Sequence, residues 1–327
     1  MTATTVDAAV VVDGLHLTRS TARGEEDLVT GLSFELTSGS ALALVGESGS
    51  GKSLSALALM GLLPAGVHVA AGRITLFGRP TTELSKRDWR RLRGTRLAMI
   101  FQDPMTSLDP CFTVGDQIAE AICAHEDIPR SQARVRSIEL LDQVKIADAA
   151  RRVHAYPHEL SGGLRQRVMI AAALALRPEI LIADEPTTAL DVTTQAAIVA
   201  LVEELRRELD LGVLWITHDL GVVAQLADRV AVLYAGEMVE CAPREEIFSR
   251  PQHPYTVGLI DSARVRAPGL PFGLIAGSVP EPGSWPPGCR FAPRCPIVAQ
   301  ECGEHPGLDA VGSHLARCHF PGKAVLQ

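Results

Sequence analysis

The sequence predicts an α/β fold: a parallel sheet covered by helices on both faces. Three observations predict it. Short apolar runs that end in Gly or acidic residues alternate with stretches of helical period. A glycine-rich turn sits between one such run and a helix. Beyond about residue 262 the periodicity stops and Pro and Gly take over, which marks a second segment.

The elements follow in order. "ALALVG" (41–46) is a buried strand, and "SLSALALMGLL" (53–63) is a helix that starts at the Gly-rich turn. "RITLFG" (73–78) alternates as a strand does. The basic run 85–96 precedes the strand "LAMIF" (97–101). Residues 113–152 have helical pattern with short breaks, and "VMIAAALAL" (168–176) is helical too. "EILIADEP" (179–186) is a buried strand, followed by the amphipathic helix 193–209. "GVLWITHD" (212–219) and "RVAVLYAGE" (229–237) complete the strands.

Composition narrows the class. With 327 residues, 46% apolar and 21% charged, the chain is long enough for one large domain plus an appendage. A net charge of -7 argues against a nucleic-acid partner, and the run Lys86, Arg87, Arg90, Arg91, Arg93 and Arg96 reads as a solvated face. No apolar run reaches membrane-span length, and the first residues lack the basic start of a signal peptide. The expectation is a cytoplasmic protein whose membrane association comes through partners.

Gly46, Glu47, Ser48, Gly49, Ser50, Gly51, Lys52 and Ser53 match G-x-x-x-x-G-K-[ST] between a strand and a helix. Glycines let successive N–H groups converge on phosphates, and the helix N-terminus adds positive potential. Lys52 would reach the β- and γ-phosphates, and the Ser53 hydroxyl would ligate Mg²⁺. Asp184 ends a buried strand, where open α/β sheets bind ligands, and would hold the same ion; Glu185 would orient the attacking water. Gln102 and His218 end two further strands, the first offering an amide to Mg²⁺ or water and the second a hydrogen bond to a γ-phosphate. Ser161-Gly162-Gly163 before a helix is a second phosphate grip, although Ser161 can also serve simply as an N-cap.

In this order "GESGSGKS", "FQDPMTSLDP", "LSGGLRQR", "ILIADEPTTALD" and "ITHD" resemble the nucleotide-binding subunit of an ABC transporter. The resemblance implies a P-loop ATPase core with an antiparallel β subdomain and an α-helical subdomain (about 103–172) within residues 1–262. It implies ATP and Mg²⁺ as ligands and a role for Asp191 in the loop after the acids. It also implies two such subunits docked head to tail, so that Ser161, Gly162 and Gly163 hold the γ-phosphate of the partner's nucleotide. Arg19 stands where the family often has an adenine-stacking aromatic; a guanidinium plane can stack as well. Leu164 replaces the usual Gln of the signature, with little consequence expected.

"RPQHPYT" (250–256) and "GCRFAPRCP" (288–296) resemble the oligopeptide/dipeptide branch of importers, which includes nickel importers. That resemblance implies an ATPase subunit on the cytoplasmic face of the membrane, driving peptide import. Its implied partners are a second and different ATPase chain, two integral permease subunits and an extracytoplasmic solute-binding protein. Nickel or another small solute is the alternative cargo. A soluble ABC ATPase is less favoured, because neither a long coiled coil nor a second cassette is present; a P-loop GTPase is excluded, because N-K-x-D needs Asn and the chain has none.

Residues 263–327 form the expected C-terminal extension. Cys289, Cys295, Cys302 and Cys318 suit either a cluster or zinc by number, with unligated thiols the remaining possibility; the resemblance favours a 4Fe–4S cluster. His305, His314 and His319 are expected as solvated loop residues rather than ligands. Phe112 and Met105 are expected to be exposed on the surface that meets the membrane subunits.

Overall fold

The computed structural model describes residues 8–22, 24–102, 107–188, 190–263 and 275–324. The strands run in chain order as β1 (Val10–Thr21), β2 (Gly24–Leu36), β3 (Ala41–Val45), β4 (Val67–Leu76), β5 (Arg79–Pro80), β6 (Leu97–Ile100), β7 (Ile180–Asp184), β8 (Gly212–Thr217), β9 (Arg229–Tyr234), β10 (Glu237–Pro243), β11 (Asp309–Val311) and β12 (His314–Ala316). The helices are α1 (Lys52–Leu59), α2 (Lys86–Leu92), α3 (Val114–Cys123), α4 (Arg130–Gln143), α5 (Ala149–Arg152), α6 (Gly162–Ala173), α7 (Val192–Leu209), α8 (Leu220–Leu226), α9 (Arg244–Ser249) and α10 (Pro254–Ala263). Among the described residues, no helix is long and apolar enough to cross a membrane.

The chain forms two compact units. The first comprises residues 1–36, 41–81 and 215–327; the second comprises 37–40 and 82–214. In the first unit, β2-β1-β4-β5 make an antiparallel sheet, with Val10 opposite Leu36 on one side and Leu76 on the other. The long strands β1 and β2 were not expected. Their apolar residues are separated by Gly14 and Gly31, both at positive φ, and by register shifts, so no clean alternation survives in the sequence. Leu15, Leu17, Leu32 and Leu36 are nonetheless fully buried.

The other sheet of this unit is mixed rather than purely parallel. β3 pairs parallel with β9, but β9-β10, β10-β12 and β12-β11 are antiparallel. The single strand expected at 229–237 is instead the first arm of a hairpin. Ala235 (φ 46°) and Gly236 (φ 81°) both take the left-handed conformation that a tight two-residue turn demands, and the chain returns as β10. "AG" lacks the Asn or Asp that usually announces such a turn, so the reversal was not legible.

In the second unit β6 and β7 pair parallel, Leu97 with Ile180 through Ile100 with Ala183. Every residue of both strands is buried, as expected for a strand covered on both faces. Helices surround them. Ser85 caps α2 in a capping box with Asp88, and Thr113 caps α3 through the Asp116 N–H. The basic run bears out its reading as a solvated face: Lys86, Arg87, Arg90 and Arg91 are exposed, and Arg96 pairs with Glu179.

Candidate nucleotide-binding site

The phosphate loop lies in the first unit, between β3 and α1. β3 is five buried apolar residues, and the chain must leave its carboxyl end and turn back into α1. Gly46 permits a close approach: a Cβ there would lie 2.1 Å from the Leu233 carbonyl oxygen. Gly51, at φ 95° and 2.6 Å from Val29 for a hypothetical Cβ, is barred to other residues on both counts. Lys52 is 5% exposed and turns back over the loop. Its Nζ donates to the carbonyls of Gly46 (2.8 Å) and Glu47 (2.9 Å) and to Ser50 Oγ (3.3 Å). An ammonium held by carbonyls at a helix N-terminus is an anion site, since phosphate oxygens can take over those bonds with a gain in charge pairing. His218 follows β8 in the same unit and is exposed. Arg19, on β1, is half-exposed and forked onto Glu26, with Nε donating at 2.9 Å. Its guanidinium is therefore already engaged by a carboxylate.

The second unit holds the acids. β7 ends at Asp184, which is buried at 5% exposure, and Glu185 follows with φ 45°. That left-handed backbone is strained for a non-glycine residue, and such strain marks positions that surrounding structure dictates. Glu185 Oε2 accepts from Gln102 Nε2 (3.2 Å) and Thr188 Oγ1 (2.9 Å). Gln102 was expected to offer its amide to Mg²⁺ or water, and here that amide donates to Glu185; neither this contact nor that of Thr188 was foreseen. Within this unit Asp184 and Gln102 offer oxygen donors, the kind that a hard cation such as Mg²⁺ prefers. Residues 103–106, with Met105, lie outside the described residues; Phe112, from the same stretch, is 50% exposed.

The signature segment opens α6. Ser161 Oγ accepts from the Leu164 N–H at 3.4 Å, so its capping role is real. Gly163 is required sterically: a Cβ would meet Thr194 Cγ2 of α7 at 2.6 Å. Asp191 caps α7, accepting from the Thr194 N–H (2.9 Å) and hydroxyl (2.6 Å). Those bonds to the ionised form, the hydroxyl's first, hold its carboxyl below the ordinary range.

The tail histidines and cysteines depart from expectation in part. His314 is not a solvated residue: its ring is buried and Nδ1 meets Glu240 Oε1 at 2.8 Å. His305, half-exposed, pairs with the buried Glu237 at 2.8 Å, and half-buried His319 bonds the Glu304 carbonyl. Both acids lie on β10, a strand the sequence did not announce. Cys302 is buried, and Cys289, Cys295 and Cys318 are half-buried. Burial raises all three half-buried thiols, Cys289 to about 11, and each also feels Cys302. Among the described residues no set of three or more His, Cys, Asp or Glu could hold a metal ion.

An anion-binding loop after a buried strand, a strand-end carboxylate pair and a capped Ser-Gly-Gly helix define an ATP-binding cassette. Residues 29–188 match the ABC transporter family model, and residues 239–302 match the model of the oligopeptide/dipeptide transporter C-terminal region. The chain belongs to the ABC transporter ATPases, in the group that carries this C-terminal region. It is 47% identical over 317 residues to the dipeptide transport ATP-binding protein DppD of Bacillus subtilis, covering 96% of this chain and 95% of that one. To the oligopeptide transport ATP-binding protein OppD of Salmonella typhimurium it is 45% identical, over 96% and 94% of the two chains. Among solved structures, a dimer of the ATP-binding cassette MJ0796 bound to ADP and Pi superposes with a TM-score of 0.64. It is 26% identical and covers 72% of this chain and 98% of that one.

Proposed function

We propose that this ATPase energises the import of di- and oligopeptides through membrane permease subunits. The observation that carries the reading is the match of residues 239–302 to the oligopeptide/dipeptide C-terminal region, together with peptide-transport relatives aligned over nearly the whole chain. The cassette occupies residues 1–262 and the extension 263–327 in this reading. The subunit sits at the cytoplasmic face of the membrane. Its partners are a second ATPase chain of different sequence, two permease subunits and an extracytoplasmic peptide-binding protein.

The residues take the following roles. The phosphate loop from Gly46 to Ser53, with the Lys52 ammonium, holds the ATP phosphates; Arg19 meets the base, after leaving Glu26. Ser53, Asp184 and Gln102 would hold Mg²⁺, which supplies charge neutralisation to the β- and γ-phosphates. Glu185 accepts a hydrogen bond from the attacking water and orients it, with Gln102 and Thr188 fixing the carboxylate. His218 donates to the γ-phosphate. Ser161, Gly162 and Gly163 bind the partner subunit's nucleotide, with the dipole of α6 behind them. ATP bound between two chains favours only their closed arrangement, and hydrolysis removes that preference.

Cys289, Cys295, Cys302 and Cys318 are the ligands of a 4Fe–4S cluster in this reading. The number of Cys in this short tail and its resemblance to peptide-importer extensions support it, and the Cys289 N–H donates to the Cys302 carbonyl at 3.0 Å. Iron and acid-labile sulfide in anaerobically purified protein, with visible absorption lost on Cys289→Ser, test that part. Uptake of labelled dipeptides by cells that carry or lack this subunit tests the cargo. Unchanged uptake on its loss would overturn the reading.

A further inference from the structure

The two motifs that set this branch apart, "RPQHPYT" and "GCRFAPRCP", both reach the phosphate loop. They meet at one residue, Glu47. Arg294, 4% exposed, forks onto the Glu47 carboxylate with Nη1–Oε2 at 2.6 Å and Nη2–Oε1 at 3.0 Å. Its Nε donates to the Ala276 carbonyl at 2.9 Å, which fixes the plane of the fork. From the other motif, Tyr255 Oη accepts the Glu47 backbone N–H at 2.9 Å. The Glu47 carbonyl in turn accepts Lys52 Nζ at 2.9 Å. Glu47 is therefore gripped through its N–H, its carbonyl and its side chain. Underneath, Phe291 packs on Tyr234, Tyr255 and His253 at centroid distances of 5.2, 5.4 and 5.7 Å, so the two motifs share one aromatic floor.

We propose that Arg294 is a positioning residue for ATP binding. It neutralises and orients Glu47, and so makes the affinity of the phosphate loop depend on the C-terminal region being folded against it. This rests on the reading of residues 46–53 as the ATP phosphate site. The electrostatic logic is asymmetric. Glu47 places a carboxylate in a loop meant for anions. With Arg294 present the pair is neutral; without it, a net negative charge faces the incoming phosphates in a partly desolvated loop. Removing the carboxylate instead leaves a guanidinium, which an anion tolerates.

The test uses the full-length chain and measures the Kd of Mg-ATP and the thermal midpoint for Arg294→Gln, Arg294→Lys, Glu47→Gln and the double variant. Expected are a roughly tenfold weaker Kd for Arg294→Gln, partial recovery in Arg294→Lys, and a tighter Kd for Glu47→Gln, which keeps the backbone groups of the loop and removes only the negative charge. The double variant returns to within about threefold of wild type. Lys52→Ala serves as the control and loses ATP binding. If Arg294→Gln and Glu47→Gln lower the thermal midpoint alike and leave Kd unmoved while Lys52→Ala abolishes binding, the pair is merely structural and the proposal is wrong. If Lys52→Ala binds ATP normally, the phosphate-loop reading fails and takes the proposal with it.

Discussion

Glu240 is the residue whose loss should report most sharply on how the branch motif "RPQHPYT" is held. Its side chain is fully buried on β10. Oε1 accepts the Gln252 N–H at 2.8 Å and His314 Nδ1 at 2.8 Å; Oε2 accepts the His253 N–H at 2.9 Å. Glu240→Ala removes all three bonds. A buried donor left unsatisfied costs about 1–3 kcal/mol. Gln252 is half-buried, so water can reach its amide and most of that cost is recovered; His253 is 1% exposed, so its amide bears the cost in full. His314 loses its 2.8 Å partner on Nδ1 and keeps the more distant Glu246 carboxylate, 3.8 Å from Nε2. The local sum is about 3 kcal/mol, or roughly two decades in the local opening equilibrium. Amide hydrogen exchange resolves it. Peptides spanning 250–260 should lose about a hundredfold of protection in Glu240→Ala, while those of α7 keep theirs. Protection within threefold of wild type across 250–260 would refute the reasoning.

Further outcomes follow from the same geometry. Glu185→Gln should leave ATP binding intact and lower turnover by about a thousandfold in the assembled transporter, since binding and water orientation fall to different residues; turnover near wild type would remove Glu185 from its role. Gly163→Val should drive side-chain atoms into Thr194, costing about 1–3 kcal/mol by denaturant titration, with Thr194→Ser restoring part of the loss. Burial, reinforced by Arg317, pushes His253 down to about 3, against about 6.5 in the unfolded chain. The unfolded form then binds the extra proton, so this contribution to stability is full above pH 6.5 and falls as pH drops towards 3, by at most about 1.4 kcal/mol per unit. His253→Asn, whose Oδ1 can still accept the Tyr255 N–H, should flatten the acid limb of the stability curve between those values.

Much of the site was legible because its residues are tied to chain-local rules. A glycine turn before a helix, acids at the end of a five-residue apolar strand and a Ser-Gly-Gly cap are each set by neighbours in sequence. Gln102 and Glu185 were each placed at the end of a buried strand; their mutual contact was not foreseen, and it follows from the parallel pairing of those strands. What escaped was long-range. β1 and β2 carry interruptions at Gly14 and Gly31 that hide their alternation, and the β9–β10 reversal rests on Ala235 adopting a conformation its type disfavours. Nothing local to Glu237 and Glu240 marks them as buried; their partners His305 and His314 come from the distant tail. Arg294 and Glu47 are 247 positions apart, and nothing local in either motif announces the other. Arg19 was read from its sequence position as a base contact, and its pairing with Glu26 across the β1–β2 strand pair was not legible beside it.

The most direct measurement is ATP turnover by the assembled transporter carrying Ser161→Glu in this chain alone, beside turnover by the isolated chain. A carboxylate placed at the grip for a neighbour's γ-phosphate should cut the assembled rate by on the order of tenfold or more, and the lone chain should be slow whichever residue it carries. An isolated chain that matches the assembled complex, or a Ser161→Glu complex that keeps full speed, would contradict a site shared between two subunits.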